Sequence, residues 1–165
     1  MDSMVEIYLE RASNELLAAE SLKRLSENEQ SKEDFGIPQK TTFYSSVISH
    51  SYYAIFYAAK ALLLTKGVKT ASPNIHMRTF EDFKNVFVDS GVLDAKLLAI
   101  YREMVIRADD LLEVFKDAKW NRGTFTYKTI PQANKEPAED SIRGAKLFLP
   151  HITKAARWSD RRSEP

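Results

Sequence analysis

The sequence predicts an all-α protein, an up-and-down bundle of about five helices in a single domain. Three observations indicate this class: apolar residues recur with helical spacing, no long segment alternates with period two, and only five Gly and six Pro occur. A chain of 165 residues buries roughly 68–70% of its unfolded surface, so it needs no disulfide, and it contains no Cys. We expect the domain to span residues 1–158 and residues 159–165 to form a disordered polar tail.

The first two helices are predicted from their apolar residues and from the residues that end them. The first helix has one apolar stripe, formed by Val5, Leu9, Ala12, Leu16 and Ala19. It fades in the polar stretch 26–34 and ends before Pro38. The second helix starts at Thr41 or Thr42, either of which has a capping side chain, and stops at Gly67, which suits a left-handed cap.

Three further helices are predicted after Gly67. Ser72-Pro73 has the form of an N-cap and a first helical residue, and the helix that it opens ends at Gly91. The fourth helix opens near Asp94 and precedes a long irregular connection over residues 121–136, a type of loop that is often functional. The last helix begins around Pro137. We expect Pro150 to kink or interrupt it, because proline removes a backbone donor and clashes with the preceding turn.

The charged residues are distributed unevenly, although the net charge is only +1. Residues 1–115 carry 13 Lys and Arg against 17 Asp and Glu, whereas residues 116–162 carry 11 against 5. A basic C-terminal third favours an anionic partner. The alternative is that these charges are spread over solvated helix faces.

Motif searches exclude several kinds of chemistry and localisation. The sequence has no Glu-x-x-His pair, no HExxH and no cluster of His, so we expect no metal and no cofactor. It has no phosphate-binding glycine loop and no GxSxG motif. It also has no basic leader and no unbroken apolar run of the ~18 residues that a membrane span needs. We therefore expect a cytoplasmic protein without a membrane partner.

The aromatic residues of the second helix admit two interpretations. Tyr52, Tyr53, Phe56 and Tyr57 cover more than half of the helix circumference. Either this helix is central and packed on all sides, or one aromatic face forms a subunit interface, for which tyrosine is suited.

The three histidines, His50, His76 and His151, have local surroundings that explain them without catalysis. His50 lies on the aromatic helix, and we expect a hydrogen-bonded core or interface residue there. His76 lies at the start of the third helix, where it can pack over the turn, and His151 follows Pro150 near the basic end. A structural role is therefore the expectation for each of them.

Two segments carry a resemblance to a known family. Residues 52–63, YYAIFYAAKALL, resemble the second helix of the HEPN domain family. The family's third helix has an early His followed by a spaced aromatic pattern, and the matching residues are His76, Phe83, Phe87, Val88 and Gly91. Residues 138–146 are similar to the family's last helix. The resemblance covers about residues 5–157.

The resemblance implies an all-α bundle that forms a homodimer. It also implies a nucleotidyltransferase protein partner, since many members form toxin–antitoxin pairs with one. Active members resemble metal-independent ribonucleases, with an Arg followed after four to six residues by a His near the end of the fourth helix. Such a pair suits RNA cleavage, because His exchanges protons near neutral pH and Arg stabilises the charge that develops on phosphorus.

The sequence departs from the family at this ribonuclease motif. The best match is Arg122 followed after four residues by Tyr127, so the His is missing. A Tyr with its ordinary pKa of about 10 does not titrate near neutrality. Losing a general acid or base costs roughly 10²–10⁴ in rate. We therefore expect a weak or absent nuclease, whose candidate catalytic residues are Arg122, Tyr127 and His50.

The resulting expectation is a HEPN-like protein that binds RNA or a nucleotidyltransferase partner. The candidate RNA-binding residues, which are basic or aromatic and lie in the C-terminal third, are Lys119, Arg122, Tyr127, Lys128 and Arg143. Two alternatives stay open. One is an active metal-independent endoribonuclease toxin, and the other is a pure interaction module that docks a protein through the aromatic face of the second helix.

Overall fold

The computed structural model describes residues 3–120 and 135–161, with side chains at 4–110 and 135–159. Six α-helices and no strand occur in these ranges, which confirms the all-α prediction. The helices are α1 Ser3–Glu27, α2 Glu29–Asp34, α3 Tyr44–Leu64, α4 Ile75–Phe83, α5 Ala95–Trp120 and α6 Lys135–Arg161.

Helix α3 is the central element of the bundle. It packs against α1, α6, α5 and α4, with its most extensive contacts to α1. Thirteen of its 21 residues are buried, including the small residues Ala54, Ala58 and Ala61, which allow neighbouring helices to approach closely. By length and composition α3 is apolar enough to cross a membrane, a property that the sequence analysis missed. Its burial inside the bundle is that of a core helix.

The apolar stripes predicted from the sequence form the core. Val5, Leu9 and Ala12 of α1 are buried against α3, and Leu16 packs partly buried beside them. The aromatic residues Phe83, Phe87, Tyr101 and Phe148 join α4, α5 and α6 in the same cluster. A second, smaller cluster at the other end of α3 is formed by Ala19, Tyr44, Val47, Ile48, Ala138 and Ile142.

The first two helix boundaries differ from the prediction. The polar stretch 26–34 is not a fading end but contains α2, which is capped by the Asn28 side chain accepting from the Ser31 amide at 2.7 Å. Helix α3 begins at Tyr44, so the prediction of a cap at Thr41 or Thr42 is wrong. The Oγ of Ser26 instead accepts from the Phe43 amide at 2.8 Å, which ties the start of α3 to the end of α1.

The third predicted helix also starts later than its sequence indicates. Helix α4 begins at Ile75, after a cis Ser72–Pro73 peptide and after Asn74 in the left-handed region, so the predicted N-cap at Ser72 is wrong. The helix continues as a π-helical turn over Lys84–Val88. Gly67 and Gly91 end α3 and this π turn at φ of 73° and 76°, as predicted.

Helix α6 is longer than predicted at both ends. It runs through Pro150 without a break, so the predicted alternative of an interruption is wrong and the kink stays a prediction. It extends to Arg161, and Ser159 is buried. The predicted disordered tail therefore does not begin at residue 159, and residues 162–165 lie outside the described part of the chain.

Candidate functional site

A tyrosine and a histidine from different helices are hydrogen-bonded beside the middle of α3. The phenol oxygen of Tyr52 lies 2.8 Å from Nδ1 of His76, at the start of α4. The imidazole ring packs against Phe56 with 4.5 Å between ring centres, and against Tyr53 with 6.0 Å. The sequence predicted that His76 packs over the turn that starts its own helix, whereas its hydrogen bond and ring contacts are with α3.

The surroundings of this pair keep both groups uncharged at neutral pH. Burial, and then the nearby Tyr53 and Asp109, raise the pKa of the Tyr52 phenol well above its usual value. Burial, and then the Lys60 charge, lower the pKa of His76 below its usual value. A protonated phenol next to a neutral imidazole offers hydrogen-bond donors and acceptors without a net charge.

The pair lines a cavity of about 390 Å³ between α3, α4 and α5, which we call the His76 pocket. Its lining combines aromatic and apolar walls with a few polar groups, and consists of Ser49, Tyr52, Tyr53, His76, Met77, Phe80, Val105, Ala108 and Asp109. Among the described residues that line it, only Asp109 carries a carboxylate. Pockets of this size and mixed character are typical of sites for small ligands.

A row of tyrosines crosses the surface from α1 to α3 and ends at this pocket. The rings of Tyr8 and Tyr57 lie nearly parallel with centres 6.1 Å apart, and those of Tyr57 and Tyr53 repeat this arrangement at 6.1 Å. All three are partly exposed, with Tyr53 at 38%. We call Tyr8, Tyr57 and Tyr53 the tyrosine row.

Two cations lie over the rings of the tyrosine row. The guanidinium carbon of Arg11 is 4.5 Å from the centre of the Tyr57 ring, and Nζ of Lys60 is 4.8 Å from the centre of the Tyr8 ring. Cation–π contacts of this kind are attractive and orient the cation without neutralising its charge. The row therefore combines aromatic surface with positive charge, the two features that single-stranded nucleic acids require of a protein.

His50 lies one turn before Tyr53 on the same face of α3. Its Nδ1 is 2.6 Å from a carboxylate oxygen of Glu15 on α1, so the prediction of a hydrogen-bonded residue is confirmed. This contact links α1 to α3 beside the tyrosine row. His151 also has a local partner, because its Nδ1 lies 2.8 Å from the Leu147 carbonyl one turn earlier.

The four aromatic residues that were predicted to form an interface differ in their burial. Tyr52 and Phe56 are 8% and 3% exposed and belong to the core, so they have little surface for a partner. Tyr53 and Tyr57 keep partly exposed rings. The burial of Tyr52 and Phe56 supports the central-helix interpretation for these two residues, and an interface at Tyr53 and Tyr57 stays a prediction.

Most of the predicted RNA-binding residues lie outside the described side chains. Arg122, Tyr127 and Lys128 fall between residues 121 and 134, and Lys119 is on α5 without a described side chain. Arg143 is exposed on α6 and donates to the Asp140 carboxylate at 2.8 Å, within its own helix.

The described basic residues of α6 are largely paired with carboxylates. Lys146 contacts Glu20 of α1, and Nε of Arg157 lies 3.8 Å from Glu6 of the same helix. These pairs connect two helices of the bundle and partly neutralise the basic face. For the described part of the C-terminal third, the alternative of charges on solvated helix faces is the better description.

Four residues of this region, Tyr8, Arg11, Lys60 and Asp109, were not identified from the sequence. None of them belongs to a local motif, and only the packing of α1, α4 and α5 around α3 brings them to this surface. Among the described residues no group of three His, Asp or Glu is arranged to hold a metal ion.

Fold and site together define an all-α bundle protein with a partly exposed tyrosine row and a small pocket beside it. A family model described as the HEPN domain matches residues 5–154, and the chain belongs to this family. Two proteins of Methanocaldococcus jannaschii, each named as a candidate toxin, are similar to it. One is 31% identical over 69% of this chain and 72% of its own length. The other is 29% identical over 88% and 76%.

A protein of Thermotoga maritima is also similar and is named only as a UPF0332 protein. It is 30% identical over 109 residues, which are 66% of this chain and 70% of the relative. The resemblance to the HEPN family that residues 52–63 and the spacing after His76 indicated is therefore confirmed.

Proposed function

We propose that this HEPN protein is toxin-like and binds single-stranded RNA through the tyrosine row. The observation that carries the proposal is the row itself, in which Arg11 and Lys60 lie over Tyr57 and Tyr8. The names of the two archaeal relatives support the toxin-like character.

Stacking and charge together account for binding at such a surface. Stacking of a base on an aromatic side chain contributes roughly 1–3 kcal/mol and tolerates any base sequence. Phosphate contacts add binding free energy because they release counterions from the RNA. This contribution becomes smaller as the salt concentration rises. In the described structure Arg11 lies over an aromatic ring, whereas Arg143 is paired with the Asp140 carboxylate. Arg11 and Lys60 are therefore the first phosphate-binding candidates, and Lys119, Arg122, Tyr127 and Lys128 stay predictions.

The test is an affinity titration of a single-stranded RNA of about 12 nucleotides, followed by fluorescence anisotropy. Tyr57→Leu with Arg11→Gln should weaken binding about tenfold or more, because one stacked ring and one cation are lost. Phe35→Leu with Lys40→Gln is the matched control, since both residues are exposed at the other end of the bundle. Equal losses in both double variants, or none in either, would contradict the proposal.

The ribonuclease alternative is resolved with the same reagents. Purified protein and its Arg122→Ala variant are incubated with a mixed RNA pool in EDTA. We expect binding without efficient cleavage, because the matched residues 122–127 lack a His. Cutting that Arg122→Ala abolishes would replace the binding proposal with an active metal-independent endoribonuclease.

The homodimer and the nucleotidyltransferase partner are proposals that rest on family membership. Exposed apolar side chains at Tyr53, Met77 and Ile106 lie near the His76 pocket and offer surface for such contacts. Light scattering should give twice the 18.9 kDa chain mass for a homodimer. Co-purification with a co-expressed nucleotidyltransferase neighbour tests the second partner, and a monomer that retains nothing would contradict both.

A further inference from the structure

The His76 pocket has a composition that selects among ligands. Its walls are the rings of Tyr53, His76 and Phe80, and its charged group is Asp109. No Lys or Arg lines it in the described part of the chain. A carboxylate without a neighbouring cation repels phosphate and accepts hydrogen bonds from N–H groups.

Asp109 is exposed and lines the pocket, and in the described ranges its side chain has no hydrogen bond or ion pair. A carboxylate has two oxygens and accepts two parallel N–H donors at once. The ligand that fits best is therefore planar, stacks on an aromatic wall and presents two adjacent N–H donors.

We propose that the His76 pocket binds a guanine base, with its adjacent N1–H and N2–H groups donating to Asp109. The cavity of about 390 Å³ is near the lower end of the range for ligand pockets, so it has room for one planar ring system and suits it better than a peptide. Tyr53 belongs both to this pocket and to the tyrosine row. A strand stacked on the row therefore reaches the pocket with one of its bases.

The donor pattern ranks the four bases. Guanine offers two adjacent donors, adenine and cytosine offer one amino group, and uracil offers one N–H between two carbonyls that a carboxylate repels. The same recognition applies to a guanine in an RNA strand and to a free guanine nucleoside. For a guanine within an RNA strand, this proposal rests on the proposed RNA function. For a free guanine nucleoside it does not.

The first experiment uses uridine oligonucleotides that carry one central guanosine, inosine or uridine. Guanosine should bind about tenfold more tightly than uridine, because one charge-assisted hydrogen bond accounts for such a factor. Inosine lacks the N2 amino group and should lose most of this gain. Equal affinity for the three strands would overturn the proposal while leaving RNA binding by the row intact.

Two variants locate the effect. Asp109→Asn keeps the shape but removes the charge, and it should abolish the guanosine preference, so that the guanosine and all-uridine strands bind equally. Asp110→Asn is the control, since the neighbouring carboxylate is exposed but does not line the pocket. A preference that survives Asp109→Asn, or one that Asp110→Asn removes equally, would overturn the assignment.

Calorimetry with free guanosine separates the two sources of the base. If no oligonucleotide binds, the RNA proposal fails, and binding of free guanosine that Asp109→Asn abolishes would still support the pocket. If neither binds, the pocket proposal fails as well. Binding of spermidine that depends on Asp109, with no binding of guanosine, would show an amine site and overturn the guanine proposal.

Discussion

The face shared by α1 and α3 and the outer face of α6 carry positive charge in different ways. On the first face Arg11 and Lys60 lie over tyrosine rings. On α6 the described basic residues Lys146 and Arg157 are paired with carboxylates of α1. Among the described residues, the basic side chains of α6 are therefore less available to an anionic ligand than Arg11 and Lys60 are. Charge counted along a sequence says less than the partners that the fold gives to each charge.

The two faces differ because their cations have different kinds of partner. A carboxylate neutralises a cation, whereas an aromatic ring attracts it through a quadrupole and leaves its charge in place. Contacts between α1 and α6 thus use basic residues to join helices. Contacts between α1 and α3 bring the rings of Tyr8 and Tyr57 together and leave cations beside them.

The largest effect should come from overpacking the core around α3. Ala58 is fully buried in the main core, and Ala58→Leu adds side-chain volume where none is available. We expect a loss of about 1–3 kcal/mol in unfolding free energy, measured by urea denaturation. Leu17→Ala on exposed α1 surface is the control and should change stability by less than about 0.5 kcal/mol. An Ala58→Leu protein as stable as the wild type would show that the packing there is loose.

The salt dependence of RNA affinity should distinguish the α1–α3 face from α6 more sharply than an affinity measured at a single salt concentration. Each phosphate contact contributes about 0.7 to the slope of log affinity against log salt for single strands. Arg11→Gln with Lys60→Gln should lower the slope by about 1.4. Arg143→Gln with Lys154→Gln should leave it nearly unchanged. The opposite pattern would place the phosphate contacts on α6.

Acid should destabilise the protein through His76. Burial and Lys60 lower the pKa of this imidazole in the folded protein, whereas the unfolded chain has the usual value of about 6.5. The unfolded state therefore binds more protons than the folded state near and below about pH 6.5. The free energy of unfolding should fall as the pH decreases through this range. Thermal melting between about pH 7 and pH 5 measures it. His76→Gln should flatten the profile, and an unchanged profile would contradict this assignment.

The smallest effect should come from the pairs between α1 and α6. Lys146 and Glu20 are both partly exposed, and pairs of this type contribute about 0.2–1 kcal/mol. A double-mutant cycle with Lys146→Gln and Glu20→Gln should give a coupling in that range. The pair Lys84–Asp89, outside this helix contact, is the comparison. A coupling above about 2 kcal/mol would mean that α6 depends on these charges more than its apolar face indicates.

Sequence reasoning predicted the fold well because the helices are amphipathic. The stripe that includes Val5 and Leu9 is buried, and the family resemblance read from residues 52–63 is confirmed. Helix starts were less predictable, since α3 is fixed by Ser26 of another helix rather than by a cap of its own.

The candidate site was predictable only in part. Tyr53 and His76 stood out because of their residue types and positions. Tyr8 and Arg11 have no local signal, since their meaning depends on the α3 residues that pack across from them. A pattern within one helix reports which face is buried, but not which side chains of another helix will meet its exposed edge.

The most direct test of the account is to locate RNA on the protein by crosslinking. A uridine strand containing one 4-thiouridine is irradiated on the full-length protein, and the attached peptides are identified by mass spectrometry. We expect crosslinks on α1 and α3 at Tyr8, Tyr53 or Tyr57, and their loss in the Tyr57→Leu, Arg11→Gln variant. Crosslinks confined to α6, with none on α1 or α3, would contradict RNA binding by the tyrosine row.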